Sequence, residues 1–231
     1  MGRRVLLEIS VETVERAVGA ERGGADRIEL CNALTVGGLT PGRELMKAVR
    51  AAVRVPVFAM IRPRAGDFVY SREEFAAMRE SIALARDMGM GGVVLGILRR
   101  DGRVDVERTR ELVEEASEIE VTFHRAIDEA AKLLEAVDAI AETGATRILT
   151  SGGKGSALDG AGTIAAMVER ARGRIGIVPG AGITAGNVAE IVRRTGVGEV
   201  HAALSTVVEL GASPERFEEE VRRLAASLAT S

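Results

Sequence analysis

The chain has 231 residues, of which 46% are hydrophobic and 28% charged, and this composition is typical of a globular protein and excludes a disordered one. Because 31 Lys and Arg stand against 34 Asp and Glu, no excess of positive charge is available to hold a nucleic acid, and we expect no nucleic-acid partner. The single cysteine excludes an intramolecular disulfide. Apolar runs are too short to span a membrane, and the first residues do not have the pattern of a signal peptide. We therefore expect a cytoplasmic protein without a membrane partner.

Short apolar runs alternate with longer amphipathic runs along the whole chain. Near-continuously apolar segments rich in branched side chains predict buried parallel strands, and segments with a period near 3.6 predict helices. The predicted strands are residues 5–10, 27–31, 55–61, 92–98, 120–124, 146–150, 174–178 and 197–203. The predicted helices are residues 12–23, 41–53, 72–88, 105–117, 129–143, 158–172, 184–194 and 214–228.

The number of strand–helix units favours one fold class. Eight consecutive units are the number that closes a TIM-type (β/α)8 barrel, whereas a doubly wound open sheet usually has fewer strands. No Pro/Ser-rich or highly charged linker interrupts the series. We therefore predict an α/β protein that consists of a single TIM-type (β/α)8 barrel domain over residues 1–231.

Polar residues at the ends of the predicted strands indicate where any chemistry takes place, because active sites of such barrels lie at the C-terminal ends of the strands. Burying a carboxylate such as Glu8 or Glu29 without a partner is costly, so each requires a partner or a ligand. A structural ion-pair network that lines a small barrel would explain the same residues. The candidate acid–base residues are Glu8, Glu29, His124, Asp128 and His201.

A second set of residues is suited to bind an anion. Guanidinium groups match carboxylate and phosphate oxygens, and the loop after strand 7 of such barrels commonly holds a phosphate. The alternatives are a surface salt bridge for the arginines and a tight turn for the glycines. The candidate ligand-binding residues are Arg62, Arg64, Arg125, Ser151, Gly180 and Gly182.

Several segments together resemble the CutC family. They are residues 7–9 (LEI), 24–31 (GADRIELC), 37–41 (GGLTP), 61–64 (IRPR), 66–70 (GDFVY), 122–126 (TFHRA), 128 and 149–152 (LTSG). The resemblance covers nearly the whole chain, and the combination is specific although no single segment is. It implies a cytoplasmic TIM-type barrel that is typically a homo-oligomer, is associated with copper homeostasis and binds copper.

The residue types of the chain indicate which side chains could bind copper. Cu(I) prefers thiolate and thioether ligands, and Cys31 and Met60 fall on adjacent predicted strands near the barrel mouth. Two soft ligands predict weak binding by one chain, unless an oligomer brings two Cys31 thiols together. A harder site could instead use the carboxylates and histidines named above. A free cysteine on a strand is most often a small buried hydrophobe.

These residues and the resemblance leave three hypotheses for the function, and two of them involve a bound ligand. The first is a CutC-like protein of copper homeostasis that binds copper. The second is a barrel enzyme that acts on a small anionic or polyhydroxylated substrate. In it Glu29 or Glu8 is the general base, His124 is the general acid and Arg62 holds the anion. The third is a non-catalytic scaffold. The expected partner in the first two is a metal or a small molecule.

Overall fold

Strands and helices alternate through the parts of the chain that this computed structural model describes, residues 4–204 and 212–229. The strands are β1 (Leu6–Val11), β2 (Arg27–Leu30), β3 (Val57–Met60), β4 (Gly92–Leu95), β5 (Glu120–Phe123), β6 (Arg147–Thr150), β7 (Gly176–Pro179) and β8 (Glu199–Ala202). The helices are α1 (Val14–Gly23), α2 (Arg43–Ala52), α3 (Arg72–Asp87), α4 (Val106–Ala116), α5 (Leu133–Ala141), α6 (Ala161–Ala171), α7 (Val188–Thr195) and α8 (Pro214–Ala229). Short 3₁₀ helices cover Leu34–Val36 and Arg125–Glu129.

The eight strands form one parallel sheet that curves into a nearly closed barrel. Its order is β7-β6-β5-β4-β3-β2-β1-β8, so β1 pairs with both β2 and β8. The terminal strands of this order, β7 and β8, contact each other. This architecture confirms the predicted α/β TIM-type barrel. The predicted domain also includes residues 1–3, 205–211 and 230–231, which lie outside the described residues.

The element boundaries agree with the sequence pattern to within four residues, and the two largest differences are the starts of α5 and α7. The difference at α5 has a local cause. Helix α5 begins at Leu133 rather than at residue 129, because Arg125–Glu129 forms a 3₁₀ helix directly after β5. Helix α3 begins where the pattern predicts it, because Ser71 and Glu74 form a reciprocal capping box.

The two-residue period of the strands separates an apolar outer face from a polar interior. In β1, Leu7 and Ile9 belong to the core between the sheet and the helices, whereas Glu8 and Ser10 point into the barrel. A small second cluster of Cys31, Phe58, Met60 and Val94 packs apart from this core. The barrel interior thus holds buried charged groups such as Glu8, Arg27, Glu29 and His201.

The first and last helices of the described chain pack closely and hold the barrel together at β1. A Cβ atom at Gly23 of α1 would lie 2.6 Å from the Val221 side chain of α8, so only glycine permits this approach. No helix in residues 4–204 and 212–229 has both the length and the apolar character needed to cross a membrane.

Candidate functional site

A cavity of about 440 Å³ opens at the C-terminal end of the barrel strands. Polar lining comes from β1, β2, β8, the loop after β3 and the segment that follows β5. Apolar lining comes from β3, β6 and the loops that follow β2, β3 and β7. Among the predicted site residues, those that line the cavity are Glu29, Met60, Arg62, His124, Arg125, Asp128, Gly182 and His201. Those outside its lining are Glu8, Cys31, Arg64, Ser151 and Gly180.

Glu8 lies below the cavity, in the body of β1 and not at the strand end predicted from the sequence. Its register partners are Arg27 on β2 and His201 on β8. Arg27 Nε donates to Glu8 Oε2, and His201 Nδ1 lies 2.7 Å from Glu8 Oε1. Burial alone would raise the pKa of Glu8, but the hydrogen bond from His201 and the charge of Arg27 lower it to about 2. Glu8 therefore stays ionised near neutral pH, and a carboxylate with so low a pKa is a weak base. Its role as general base stays a prediction.

An ion-pair network fills the barrel beneath Glu8. Arg27 also bonds to Glu199 at 2.7 Å, and Arg147 reaches the same carboxylate at 3.0 Å. The Phe58 ring lies between these two guanidinium groups, whose Cζ atoms are 5.0 and 5.3 Å from its centroid. The structural network considered as an alternative explanation is thus present, and it accounts for the lower part of the interior.

Glu29 and His201 form the acid–base pair at the cavity floor. Glu29 Oε2 accepts a hydrogen bond from the Cys31 thiol at 3.4 Å and lies 3.8 Å from His201 Nε2. Glu29 Oε1 is buried with no hydrogen-bond partner among the described residues. Burial raises the pKa of Glu29. Burial would lower the pKa of His201, but the negative charges of Glu29 and Glu8 raise it. Both groups are thereby moved towards the range in which protons are exchanged near neutral pH.

His124 follows β5 directly and is held as a neutral ring. Its Nδ1 accepts the backbone N–H of Ala126 at 3.2 Å, which assigns the ring proton to Nε2. Nε2 is buried and has no partner among the described residues. Burial, and then the positive charge of Arg62, lower the pKa of His124 to about 3. An imidazole with this pKa carries no second proton near neutral pH, so His124 offers a single ring N–H as a hydrogen-bond donor. Its role as general acid stays a prediction.

The predicted anion-binding arginines are engaged by the protein itself. The terminal nitrogens of Arg62 donate to the carbonyl groups of Val36, Gly38 and Gly66 at 2.8–3.2 Å. Arg64 points away from the cavity and pairs with Asp67 at 2.8 Å, which is the surface salt bridge considered as the alternative. Because these groups are engaged, the structure does not assemble the predicted pair of free guanidinium groups at the mouth.

Arg125 and Asp128 organise the loop after β6. The Asp128 carboxylate accepts hydrogen bonds from the Thr150 hydroxyl at 2.5 Å and from the backbone N–H groups of Ser151 and Gly153. Arg125 donates to Asp128 at 2.9 Å and to the Ser151 hydroxyl at 3.2 Å. These bonds hold Asp128 and Ser151 in fixed positions at the start of the loop after β6.

The glycines predicted to bind an anion differ in their roles. A Cβ atom at Gly180 would lie 2.6 Å from the Leu149 side chain, so this glycine permits close packing between neighbouring strands. Gly182 lines the cavity and has a φ of 68°, a conformation that glycine adopts at little cost. The tight turn considered as the alternative therefore explains Gly182, and close packing between strands explains Gly180.

Cys31 and Met60 lie in one small cluster, as their places on adjacent strands predict. Cys31 is completely buried. Burial and the negative charge of Glu29 raise the pKa of its thiol well above the usual 9.0, so the thiol is protonated near neutral pH. Copper(I) would have to displace this proton, because thiolate is the ligand form of cysteine.

One group of carboxylate and imidazole ligands in the described chain is close enough to hold a metal ion. Ligand atoms of Glu8, Glu29 and His201 lie within 4.8 Å of one another. The Glu8 oxygens already bind Arg27 and His201, so this carboxylate is suited to orient the imidazole rather than to bind a metal directly. Glu29 and the His201 Nε2 face remain as donors.

Ser10 is a cavity residue that the sequence analysis missed. Its hydroxyl is buried without a partner among the described residues, and Ser10 lines the cavity. The signal was available, since Ser10 lies two residues after Glu8 and so shares its strand face. Phe68 was also missed; it comes from the loop after β3, where no period indicates which side chains point inward.

The fold and the site define a TIM-type barrel with a partly buried polar cavity at the C-terminal ends of its strands. The sequence profile of the CutC family matches residues 5–206, and this chain belongs to the CutC family. A family protein CutC from Xylella fastidiosa strain Temecula1 is 45% identical over 217 residues, which cover 93% of this chain and 81% of that protein.

Two further relatives extend the comparison. The human protein named copper homeostasis protein cutC homolog is 43% identical over 206 residues, which cover 89% of this chain and 76% of that protein. The crystal structure of a CutC protein from Streptococcus agalactiae is similar with a TM-score of 0.82 and 32% identity, covering 86% of this chain and 98% of that one. The family and the barrel are thus supported by sequence and by structure.

Proposed function

We propose that this chain has a role in copper homeostasis and that its cavity binds a small polar ligand, on which Glu29 and His201 move protons. The name of the human relative supports the role. One observation carries the ligand site: Glu29 Oε1 and His124 Nε2 are buried in cavity-lining residues without a partner among the described residues. Leaving a buried polar group unpaired costs about 1–3 kcal/mol, which a bound ligand recovers.

Glu8 acts through His201. It accepts a hydrogen bond from His201 Nδ1, which fixes the ring and leaves Nε2 turned towards Glu29. Glu29 takes a proton from the ligand or returns one to it, and His201 is the neighbouring group that balances the charge. This division needs no contact between Glu8 and the ligand.

A purely structural role explains only half of the interior. Ion pairs satisfy Glu8, Arg27 and Arg147 in the lower part of the barrel. They leave the unpaired oxygen of Glu29 at the cavity unexplained. The unpaired oxygen of Glu29 therefore favours a ligand site at the cavity, with the structural ion-pair network below it.

The test is a binding screen with small carboxylates, phosphates and sugars, read by thermal unfolding and ligand-observed NMR. A ligand that binds only the folded chain should stabilise it by about 2.7 kcal/mol at about 100 times Kd. Glu29→Leu should weaken binding by about tenfold or more, because a hydrogen bond to a charged group is lost. Glu190→Gln, at an exposed pair on α7, is the matched control. If no compound binds, or if both variants bind like wild type, the proposal fails.

Copper is the second candidate ligand, favoured by the contact of the Cys31 thiol with Glu29 and by its cluster with Met60. We expect one chain to bind Cu(I) weakly and mainly through Cys31. Affinity should rise with pH, because metal binding requires the thiolate and the folded chain raises the pKa of this thiol.

The measurement is a Cu(I) titration against a competing chelator at several pH values. Cys31→Ser should remove most of the binding, because a hydroxyl is a poor ligand for a soft ion. Met78→Leu, in a buried position of α3, is the control and should bind like wild type. Tight binding that persists in Cys31→Ser would show that other residues hold the metal.

The family resemblance also supports a cytoplasmic homo-oligomer that is built from a single barrel domain, and we include both in the proposal. Size-exclusion chromatography with light scattering measures the state of assembly. A monomer at all protein concentrations would contradict this part of the proposal without affecting the ligand site.

A further inference from the structure

We infer that the cavity takes an α-hydroxycarbonyl compound, whose carbonyl oxygen accepts a hydrogen bond from His124 while Glu29 and His201 move a proton between its two adjacent carbons. The inference rests on the proposed function, since it names a substrate class and a reaction for the same site. It follows from the geometry of His124, the lack of free guanidinium forks and the chemistry of the acid–base pair.

The His124 ring is fixed so that a single donor is available to a ligand. Nδ1 is used by the Ala126 N–H at 3.2 Å. A Cβ atom at residue 96 would lie 2.6 Å from Nδ1, so Gly96 makes room for the ring. Phe68 packs against it with 5.0 Å between ring centroids. Nε2–H is therefore a buried, oriented and unused donor in a residue that lines the cavity.

An uncharged oxygen is the acceptor that suits this donor. A neutral imidazole gives one hydrogen bond, and that bond becomes stronger when negative charge develops on the acceptor. A carbonyl oxygen that turns into an enolate oxygen changes in this way. The hydrogen bond from His124 then stabilises the transition state more than the bound substrate, as catalysis requires.

The donors of the cavity are not arranged to hold a phosphate or another dianion. The guanidinium ends of Arg62 bind backbone carbonyls, and Arg125 is paired with Asp128. Glu29 places a carboxyl group at the cavity floor. Beside Glu29 Oε1 and His124 Nε2, the buried side-chain groups of cavity-lining residues without partners among the described residues are the Ser10 hydroxyl and Arg62 Nε. Single donors and acceptors of this kind fit the hydroxyl groups of an uncharged polyhydroxylated compound.

The reaction balances without a co-reactant. Glu29 takes the proton from the hydroxyl-bearing carbon, the C–H electron pair forms a C=C bond, and the carbonyl π pair moves to the oxygen held by His124. Glu29 returns the proton to the former carbonyl carbon. His201 takes the proton of the ligand's hydroxyl group and gives a proton to the other oxygen, so that aldehyde and ketone exchange places. No electron acceptor or donor is needed.

The experiment follows exchange of carbon-bound hydrogen for deuterium by proton NMR. Dihydroxyacetone, erythrulose, ribulose and fructose are incubated in deuterium oxide with the full chain. At least one of them should bind and exchange. Glu29→Gln should lower the exchange rate by about 100-fold or more and keep binding within about tenfold of wild type. The exposed-site variant Glu190→Gln should exchange like wild type.

The outcomes separate the two proposals. If other compounds of the binding screen bind at the Glu29 site but none of the four probes binds or exchanges, the inference fails and the proposed ligand site stands. If a probe binds without exchange above the uncatalysed rate, the inference also fails. If no compound binds at all, both fail.

The role of His124 has two separate readouts. His124→Phe should lower the exchange rate by about 100-fold, and His124→Gln, which restores a side-chain N–H, should recover part of it. In the unaltered protein, nitrogen-15 NMR should find His124 neutral, protonated at Nε2 and not titrating near neutral pH. Titration of His124 near its ordinary pKa, or equal rates in the two variants, would overturn the inference.

Discussion

Replacing Glu8 with leucine is expected to lower the free energy of unfolding by about 3–5 kcal/mol, because removing one partner of a buried ion pair leaves the other charge uncompensated. Glu8 is 2% exposed and bonds to both Arg27 and His201. Glu199 still contacts Arg27 at 2.7 Å, which favours the lower half of that range. Urea unfolding at neutral pH measures the change.

A surface ion pair provides the matched control. Glu190 pairs with Arg194 at 3.3 Å, and both side chains are more than two-fifths exposed. Glu190→Gln should therefore change the free energy of unfolding by less than about 0.5 kcal/mol. The double variant Glu8→Leu/Arg27→Met should be more stable than Glu8→Leu alone, because it also removes the unpaired charge. A Glu8→Leu protein as stable as wild type would show that the buried network adds nothing to stability.

His124→Gln is expected to make the protein less sensitive to acid. The unfolded chain binds a proton at His124 with the ordinary pKa of 6.5, whereas burial lowers the pKa of the folded chain to about 3. The unfolded state thus binds more protons between these values, so wild type loses stability as the pH falls. Compared with His124→Gln, the wild-type free energy of unfolding should fall by up to about 1.4 kcal/mol for each pH unit between these two pKa values.

His201 serves as a control, because its effect on the free energy of unfolding depends on pH in the opposite direction. Its pKa is raised in the folded chain by the charges of Glu29 and Glu8, against the effect of burial. The contribution of His201 to the free energy of unfolding is complete below the ordinary pKa of histidine. It is lost as the pH rises through the raised pKa of the folded chain. Stability curves measured from acid through neutral to alkaline pH test both residues, His124 on the acid side and His201 on the alkaline side. Parallel curves for wild type and His124→Gln would contradict the proposed burial of a neutral His124.

Sequence periodicity predicted the barrel because each of its eight units carries its own signal. The two-residue period of a strand places Glu29 and Cys31 on one face, and the structure has a 3.4 Å contact between them. Strands β2 and β8 lie on either side of β1, which brings His201 to Glu29. These features follow from local pattern and from the number of units.

The depth of Glu8 could not be predicted in the same way. Strand β1 continues to Val11, so Glu8 lies one level below the mouth. How far a strand continues depends on its pairing with neighbours, here β2 and β8, and not on its own apolar pattern. The hydrogen-bond partners of Arg62 and Arg64 could not be predicted for the same reason. Arg62 and Arg64 are two residues apart in an irregular turn, and their partners lie in the same turn, in the loop after β2 and in α3.

The state of His124 required the packed structure. Its position after a strand was evident from the sequence, and a role as general acid followed from the usual pKa of histidine. Burial and the nearby Arg62 remove the second proton, and both are properties of the assembled barrel. The residue type was therefore predictable, whereas its protonation was not.

The environment of Cys31 has a practical consequence for labelling the protein. It is the only cysteine of the chain, it is completely buried, and its thiol has a raised pKa. Maleimides and oxidants react with accessible thiolate, so the folded protein has no cysteine that reacts readily with them. A cysteine introduced at Glu107, whose side chain is 80% exposed, will therefore take up a fluorophore or spin label selectively while the native Cys31 stays in place.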